Sequence, residues 1–307
     1  MDGLQNNLED KIGNTPLKEL TKIVRGLSLH ARIFAKLEGE NIGGSIKDRV
    51  AKAIIEDAER TGRLQAGGTI VEATSGNTGI GLSLIGGARG YRVVIVMPEN
   101  MSKERQELLR SYGAEVVLTD GKLGMTGAVE YAKKWAESQE NTLLANQFGN
   151  PVCAKVHYDT TAREIERQTQ GKMDIFVAGV GSGGTLTGIG RYYKERYPQV
   201  KIVAVEPSES PLLSCGRAGA HGIQGIGANF IPEVLDVSVY DEVITVSSAE
   251  AIEMTKRLQT EEGLFVGISS GANAAAAIRL AQRAENTGKT IATVFPDEGG
   301  RYASILK

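Results

Sequence analysis

The chain has 307 residues, 41% of them hydrophobic and 23% charged, with a formal net charge of −2. That length supports a large core and sits where chains begin to divide into two domains. A nearly balanced charge gives no electrostatic basis for binding nucleic acid or an anionic membrane, and no apolar run approaches the roughly 18 residues of a membrane span.

In chain order, short runs rich in Val and Ile predict strands over 32–37, 69–73, 92–97, 115–118, 174–179, 201–206, 242–246 and 290–295. Helical patterns lie between most of them, over 47–61, 77–88, 102–112, 124–138, 184–195, 248–261 and 270–285. Continuous apolar strands alternating with amphipathic helices indicate parallel sheets covered on both faces. The strands are too many for one compact sheet, and Asn150-Pro151 is a plausible break. The expected architecture is therefore α/β, with two domains and a cleft between them. Neither an internal repeat nor a low-complexity segment is visible.

Cys153 and Cys215 lie far apart and form neither a disulfide framework nor a metal-ligand spacing. They read as free thiols in a reducing compartment. The opening segment "MDGLQNNLEDKIG" is acidic and polar, unlike a secretory signal, so the cytoplasm is expected.

In sheets of this kind, ligands bind beyond the carboxyl ends of the strands. Four turns carry the chemistry. The first, "GGSIKDR", places Lys47 at the start of a helix, where the macrodipole opposes a cation by about 0.3–1 kcal/mol. Either Lys47 is a solvated surface lysine, or its amine is wanted neutral and reactive. The second, "EATSGNTGIG", gathers Thr74, Ser75, Gly76, Asn77, Thr78 and Gly79 between a strand and a helix. Hydroxyls, an amide and unpaired helical N–H groups suit a carboxylate, the alternative being ordinary capping by Ser75 or Asn77.

The third turn, "AGVGSGGTLTG", offers successive N–H groups and hydroxyls of Gly181, Ser182, Gly183, Gly184 and Thr185 to a phosphate. It also fits a dinucleotide fingerprint through Gly179, Gly181 and Gly184, and Glu206 stands where such a fold puts its ribose-binding acid. An NAD-dependent oxidoreductase thus competes, but it leaves Lys47 and the 74–79 turn unexplained. In the fourth turn, "GLFVGISSGANAAAA", Ser269 and Ser270 lead an alanine-rich helix. They either cap it or present a hydroxyl to a ring nitrogen. A phosphate cradle, a carboxylate cradle, a lysine and a serine hydroxyl describe a pyridoxal phosphate site for an amino acid, with Lys47 carrying the aldimine. The glycine-lined turn desolvates the amine and the helix terminus disfavours its charge, and both lower its pKa.

With "IGNTPL" (12–17), "GGSIKDR", "TSGNTG", "GVGSGGTLTG", "IQGIGANFIP" (223–232) and "GISSGA" in this order, the sequence resembles the cysteine synthase (O-acetylserine sulfhydrylase) family over nearly its whole length. These are pyridoxal-phosphate-dependent β-replacement enzymes of fold type II, the tryptophan synthase β-like fold. The resemblance implies that Lys47 forms the internal aldimine and later acts as general base. It gives Asn77 to the cofactor's 3′-oxygen and Thr74, Ser75, Gly76, Thr78 and Gln147 to the substrate carboxylate. The phosphate falls to Gly181, Ser182, Gly183, Gly184 and Thr185, the pyridine nitrogen to Ser269, and the substrate side to Gly225, Ile226 and Gly227. A smaller domain over 40–151 would close over the substrate, with 1–39 and 152–307 forming the larger one. The implied reaction joins an O-activated serine, most simply O-acetylserine, with sulfide to give L-cysteine through an α-aminoacrylate. A homodimer and a serine acetyltransferase partner belong to the same implication.

Three departures stand out. Ile42 replaces the usual proline of the lysine loop, and Ser182 replaces a common threonine. Asp297 in "FPDEGGRY" stands where many cysteine synthases have serine, which makes the tail similar to that of cystathionine β-synthases and could place a carboxylate near the ring nitrogen. A cystathionine β-synthase-like or hydrogen-sulfide-releasing enzyme of the same fold is therefore the alternative, although "IQGIGANFIP" is nearer the sulfhydrylase pattern. A non-catalytic binding protein on this scaffold is disfavoured by Lys47. His30, His157 and His221 are lone histidines with no metal-ligand neighbours and read as surface or structural residues. Trp135 reads as a packing residue, Met125 as one that either packs or edges the cleft, and no metal is expected.

Overall fold

A computed structural model of the chain describes residues 8–306. In chain order its strands are β1 (Leu17–Glu19), β2 (Arg32–Leu37), β3 (Thr69–Ala73), β4 (Arg92–Pro98), β5 (Glu115–Thr119), β6 (Thr142–Leu144), β7 (Ile175–Gly179), β8 (Lys201–Pro207), β9 (Glu242–Val246) and β10 (Thr290–Phe295). The α-helices are α1 (Thr21–Gly26), α2 (Lys47–Arg60), α3 (Asn77–Ala88), α4 (Lys103–Ser111), α5 (Gly124–Glu137), α6 (Val152–Val156), α7 (Ala162–Thr169), α8 (Gly184–Arg196), α9 (Leu212–Cys215), α10 (Ser248–Arg257) and α11 (Ile268–Ala281). The chain divides into two compact units. The smaller holds residues 47–153 with the N-terminal segment ending at Ile12, and the larger holds 13–46 with 154–307.

The smaller unit is built on an all-parallel four-stranded sheet in the order β5-β4-β3-β6. Every residue of β4 from Val93 to Pro98 is buried, as a strand covered on both faces must be. Ala128 and Ala132 of α5 pack with Val71, Ala73, Val94 and Val96 on one face. On the other, α3 lies close because Gly86 has no side chain. A Cβ there would come within 2.8 Å of Val93 and 3.0 Å of Ile70.

The larger unit carries six strands in the order β1-β2-β10-β7-β8-β9, parallel except for β1, which runs antiparallel along β2. Helix α11 is buried along nearly its whole length. Its alanine run makes this possible, since a thin helix can lie close to the sheet. Asn273 in α11 donates to Val294 O of β10 at 2.7 Å and accepts from Gly179 N of β7 at 2.8 Å. Those bonds fix the helix to the carboxyl ends of two strands.

All eight strands expected from sequence are present, to within a residue at each end. The added strands β1 and β6 have three residues each, too few to show a repeating pattern. The helical stretch 152–169 was not expected. There α6 and α7 are joined by a π-helical turn over His157–Thr161, which breaks the 3.6-residue periodicity.

Candidate active site

In the smaller unit Lys47 is the first residue of α2. Helix α3 packs against that first turn through Gly81, whose absent Cβ would lie 3.1 Å from Lys47 O and from the Ala51 methyl. The packing sets the lysine turn beside the 74–79 turn that opens α3. The turn is itself pinned to the sheet, with Thr74 N donating to Val96 O at 3.1 Å and Gly76 N donating to the Thr74 hydroxyl at 3.1 Å.

The capping alternative for this turn can be tested directly. The N-cap of α3 is Gly76, with no side-chain cap, so neither Ser75 nor Asn77 fills that role. Helices α8 and α11 begin in the same way, behind Gly183 and Gly267, again with no side-chain cap. By contrast, Ser102 and Ser247 cap α4 and α10 through Arg105 N and Glu250 N. Capping serines thus serve helices away from the motifs, while three motif helices begin behind a glycine that has no side chain to cap them. Such termini attract anions.

Thr78 donates to Gln147 Oε1 at 2.6 Å, joining two residues expected to hold the substrate carboxylate. Ser75 accepts from Arg105 at 3.3 Å. Directly before the turn, Glu72 is buried and its Oε2 has no hydrogen-bond partner. Burial pushes its carboxyl up to about 7, against the hydrogen bonding of Gln147 and Asn146 and the charge of Lys47. The nearby Cys153 thiol is pushed up to about 12, chiefly by burial and with Lys47 acting against it, so it is a packed, unreactive thiol. Both cysteines are free.

In the larger unit the 181–185 turn, the 225–227 segment and Ser269 lie together. A Cβ on Gly181 would come 2.3 Å from Gly225 O, and one on Gly179 would come 2.6 Å from Ile226. Gly227 N donates to Val180 O at 2.9 Å. Gly183 has φ +86°, and a Cβ there would meet Leu235 at 2.7 Å. A Cβ on Gly225 would stand 3.7 Å from Ser269 Oγ. Val180, Gly181, Gly227, Asn229 and Phe230 help line a small, partly open pocket beside this turn. Bare backbone, small hydroxyls and an uncapped helix terminus fit a phosphate and a flat ring. The donor set therefore accommodates pyridoxal phosphate.

Other expectations are resolved by contacts. Both oxygens of Glu206 are occupied: they accept from Leu213 N at 2.7 Å, Ser214 N at 3.0 Å and the Ser214 hydroxyl at 2.5 Å. The acid caps α9 and is not presented to a ribose. Asp297 accepts from Tyr302 at 2.6 Å, and a Cβ on Gly267 would strike its Oδ1 at 2.1 Å. It therefore lies at the N-terminus of α11, two residues before Ser269. Arg301 donates to Gly43 O, and Ile46 N donates to Pro296 O at 2.8 Å. The C-terminal tail thereby holds the loop in which Ile42 stands in place of the usual proline. His157, read from sequence as a surface or structural residue, is buried with Nδ1 2.9 Å from the Thr161 hydroxyl and Nε2 3.4 Å from that of Thr185. No sequence signal marked that contact with the 181–185 turn, because it depends on the unforeseen π-helical turn. Among the described residues no group of three or more His, Cys, Asp or Glu could hold a metal, and no helix is long and apolar enough to cross a membrane.

Comparison with known proteins agrees with this chemistry. Residues 8–297 match the family model described as "Pyridoxal-phosphate dependent enzyme". The chain is 48% identical over 300 residues to a cysteine synthase of Staphylococcus aureus, covering 97% of this chain and 96% of that protein. A cysteine synthase structure from Entamoeba histolytica is 43% identical with a TM-score of 0.95, covering 99% of this chain and 90% of the other. A hydrogen sulfide-producing enzyme from Fusobacterium nucleatum is 42% identical with a TM-score of 0.92, covering 97% and 100%.

Proposed function

Because the chain belongs to the cysteine synthase family of pyridoxal-phosphate dependent enzymes, we propose that it makes L-cysteine from O-acetylserine and sulfide. The observation that carries this reading is the set of three glycine-capped helix termini, at Gly76, Gly183 and Gly267, standing at the motif turns without side-chain caps. Lys47 would hold the cofactor through its amine. Gly181, Ser182, Gly183, Gly184 and Thr185 would bind the phosphate, and Ser269 the ring nitrogen. Asn77 would meet the cofactor's 3′-oxygen, and Gly225, Ile226 and Gly227 would border the substrate. When bound, the cofactor supplies an electron sink for the substrate's α-carbon.

The protein's own groups do the rest. Thr74, Ser75, Gly76, Thr78 and Gln147 orient the amino acid by its carboxylate, so that its α-hydrogen faces one base. The Lys47 Nζ takes that proton, and loss of the β-acetate leaves the carbon that sulfide attacks. A neutral Ser269 does not hold the ring nitrogen protonated as a carboxylate would. The β-substituent is then expelled more readily than the amino group is transferred. Closure of a domain over 40–151 excludes water during these steps. A cytoplasmic homodimer with serine acetyltransferase as protein partner completes the reading. Light scattering with and without that enzyme checks the assembly.

The decisive experiment compares kcat/KM for O-acetylserine, O-phosphoserine and serine, each with sulfide or homocysteine. O-acetylserine with sulfide should lead. Serine with homocysteine leading would make the protein a cystathionine β-synthase, to which Asp297 in the tail points. The hydrogen sulfide-producing neighbour favours a second reading, tested by sulfide release from cysteine alone. Lys47→Ala should abolish turnover and leave the circular dichroism spectrum unchanged. Turnover at the wild-type rate would remove Lys47 from the chemistry.

A further inference from the structure

The motif "IGNTPL" and the buried charges beside it have no part in the reaction above. Within the larger unit, Gly13 and Asn14 turn the chain with φ +90° and +49°. Each residue of this turn is held by side chains. Gly13 N donates to Asn41 Oδ1 at 2.8 Å, and Asn14 Oδ1 accepts from Arg167 at 3.0 Å. Thr15 O accepts from Lys36 Nζ at 2.5 Å and from Gln168 Nε2 at 2.8 Å. The Thr15 hydroxyl donates to Glu38 Oε1 at 2.6 Å. Lys36 is fully buried and ion-paired with Glu164 at 2.6 Å. Glu38 is fully buried too, and its Oε2 accepts from Asn41 Nδ2 at 2.8 Å. Asn41 closes this network at the start of the lysine loop. Its Nδ2 also donates to Glu38 O at 2.9 Å, and its main-chain O accepts from Gly44 N at 2.8 Å.

We infer that Asn41 is a positioning residue for Lys47, its side chain anchoring the loop over 41–46 to the buried network of the 13–15 turn. This deepens the cysteine synthase reading and rests on it. The polarity of the contact follows from the partners. The Gly13 N–H can only donate, so Asn41 must offer it an oxygen. The Glu38 carboxylate and carbonyl accept, so Asn41 must turn its nitrogen toward them. An amide satisfies both sides at once, whereas a carboxylate of the same shape satisfies one. These bonds are buried, Asn41 itself being only 3% exposed. A partner lost there costs the full desolvation of the group left behind. From Asn41 the order passes through one main-chain bond to Gly44, and Lys47 follows three residues later. Even a small displacement of a reacting group is costly to catalysis.

The test exchanges donor for acceptor without changing shape. Asn41→Asp keeps an oxygen for Gly13 N but sets two carboxylates face to face at Glu38. Adding Glu38→Gln returns a donor, now from the other side. In holoenzyme, hydrogen exchange at the Gly44 amide should quicken by at least about tenfold in Asn41→Asp and return to within about threefold of wild type in the double variant. With O-acetylserine and sulfide, kcat should fall by roughly tenfold in Asn41→Asp and recover in the double variant. KM for O-acetylserine should change by less than about twofold. The carboxylate turn over 74–79 belongs to the smaller unit and is pinned by its own bonds. A purely stabilising residue would shift the melting temperature and leave kcat alone well below it. Unchanged kcat, or a double variant no better than Asn41→Asp, would therefore overturn the inference. If Asn41→Asp fails to fold, wild-type holoenzyme decides. Its Asn41 side-chain N–H groups should exchange at least about tenfold more slowly than those of an exposed asparagine, and exchange at the exposed rate would sink the inference. Neither exchange measurement needs substrate. Wild-type protein that fails to turn over O-acetylserine would thus count against the cysteine synthase reading alone, with exchange still judging Asn41.

Discussion

A single methyl group at Gly181 would stand 2.3 Å from Gly225 O. The clash is with backbone, so no rotamer change relieves it, and one of the two segments must move. Gly181→Ala should therefore weaken pyridoxal phosphate binding by at least about tenfold, a cost of about 1.4 kcal/mol, within the range for overpacked sites. Absorbance titration of apoprotein with the cofactor measures this. Unchanged affinity would mean that the 181–185 turn does not cradle the phosphate. At this scale the candidate residues stood out in the sequence, because a glycine or a lysine in an unusual place has few physical explanations. Contacts were not legible. Glu206 matched a ribose-binding acid by spacing, yet its oxygens cap α9. His157 carried no motif, yet it reaches Thr185.

Among the elements, a glycine at the helix start marks three of the motif turns. Ser102 and Ser247 cap their helices, whereas Gly76, Gly183 and Gly267 do not. The strand β3 brings a cost to the site it supports. An unfolded Glu72 titrates near 4.5 and the folded one near 7, so the folded state holds its proton longer. This contribution to stability is complete below pH 4.5 and is lost as the pH rises through 7, by about 3 kcal/mol in all. The melting temperature of Glu72→Gln relative to wild type should accordingly rise between pH 6 and pH 9, and a flat difference would refute the buried titration. The lysine loop depends on another element. With Arg301 donating to Gly43 O, Arg301→Ala should speed hydrogen exchange at Gly44 and Ile46 and lower kcat/KM by roughly tenfold. Unchanged exchange would show that the tail does not order the loop.

For the whole molecule, ligand linkage offers a test independent of catalysis. A cofactor bound only by the folded chain, at a hundredfold its dissociation constant, adds about 2.7 kcal/mol of stability. Differential scanning calorimetry of apoprotein against holoenzyme should show that rise, and Gly181→Ala should lose most of it. What the sequence determined by itself was local. Strand and helix periodicity, and turns whose residue types suit only certain chemistries, depend on neighbours within about ten positions. Hence β2 to β10, apart from the three-residue β6, and the four turns could be read directly. The tertiary structure alone decided matters of long sequence separation. It joined Gln147 to Thr78, Gly225 to Gly181 and Asp297 to Gly267. It also gave Glu206 to a helix and buried Glu72 where water cannot stabilise its charge. No periodicity encodes those pairings, because they depend on which elements the folded core forces into contact.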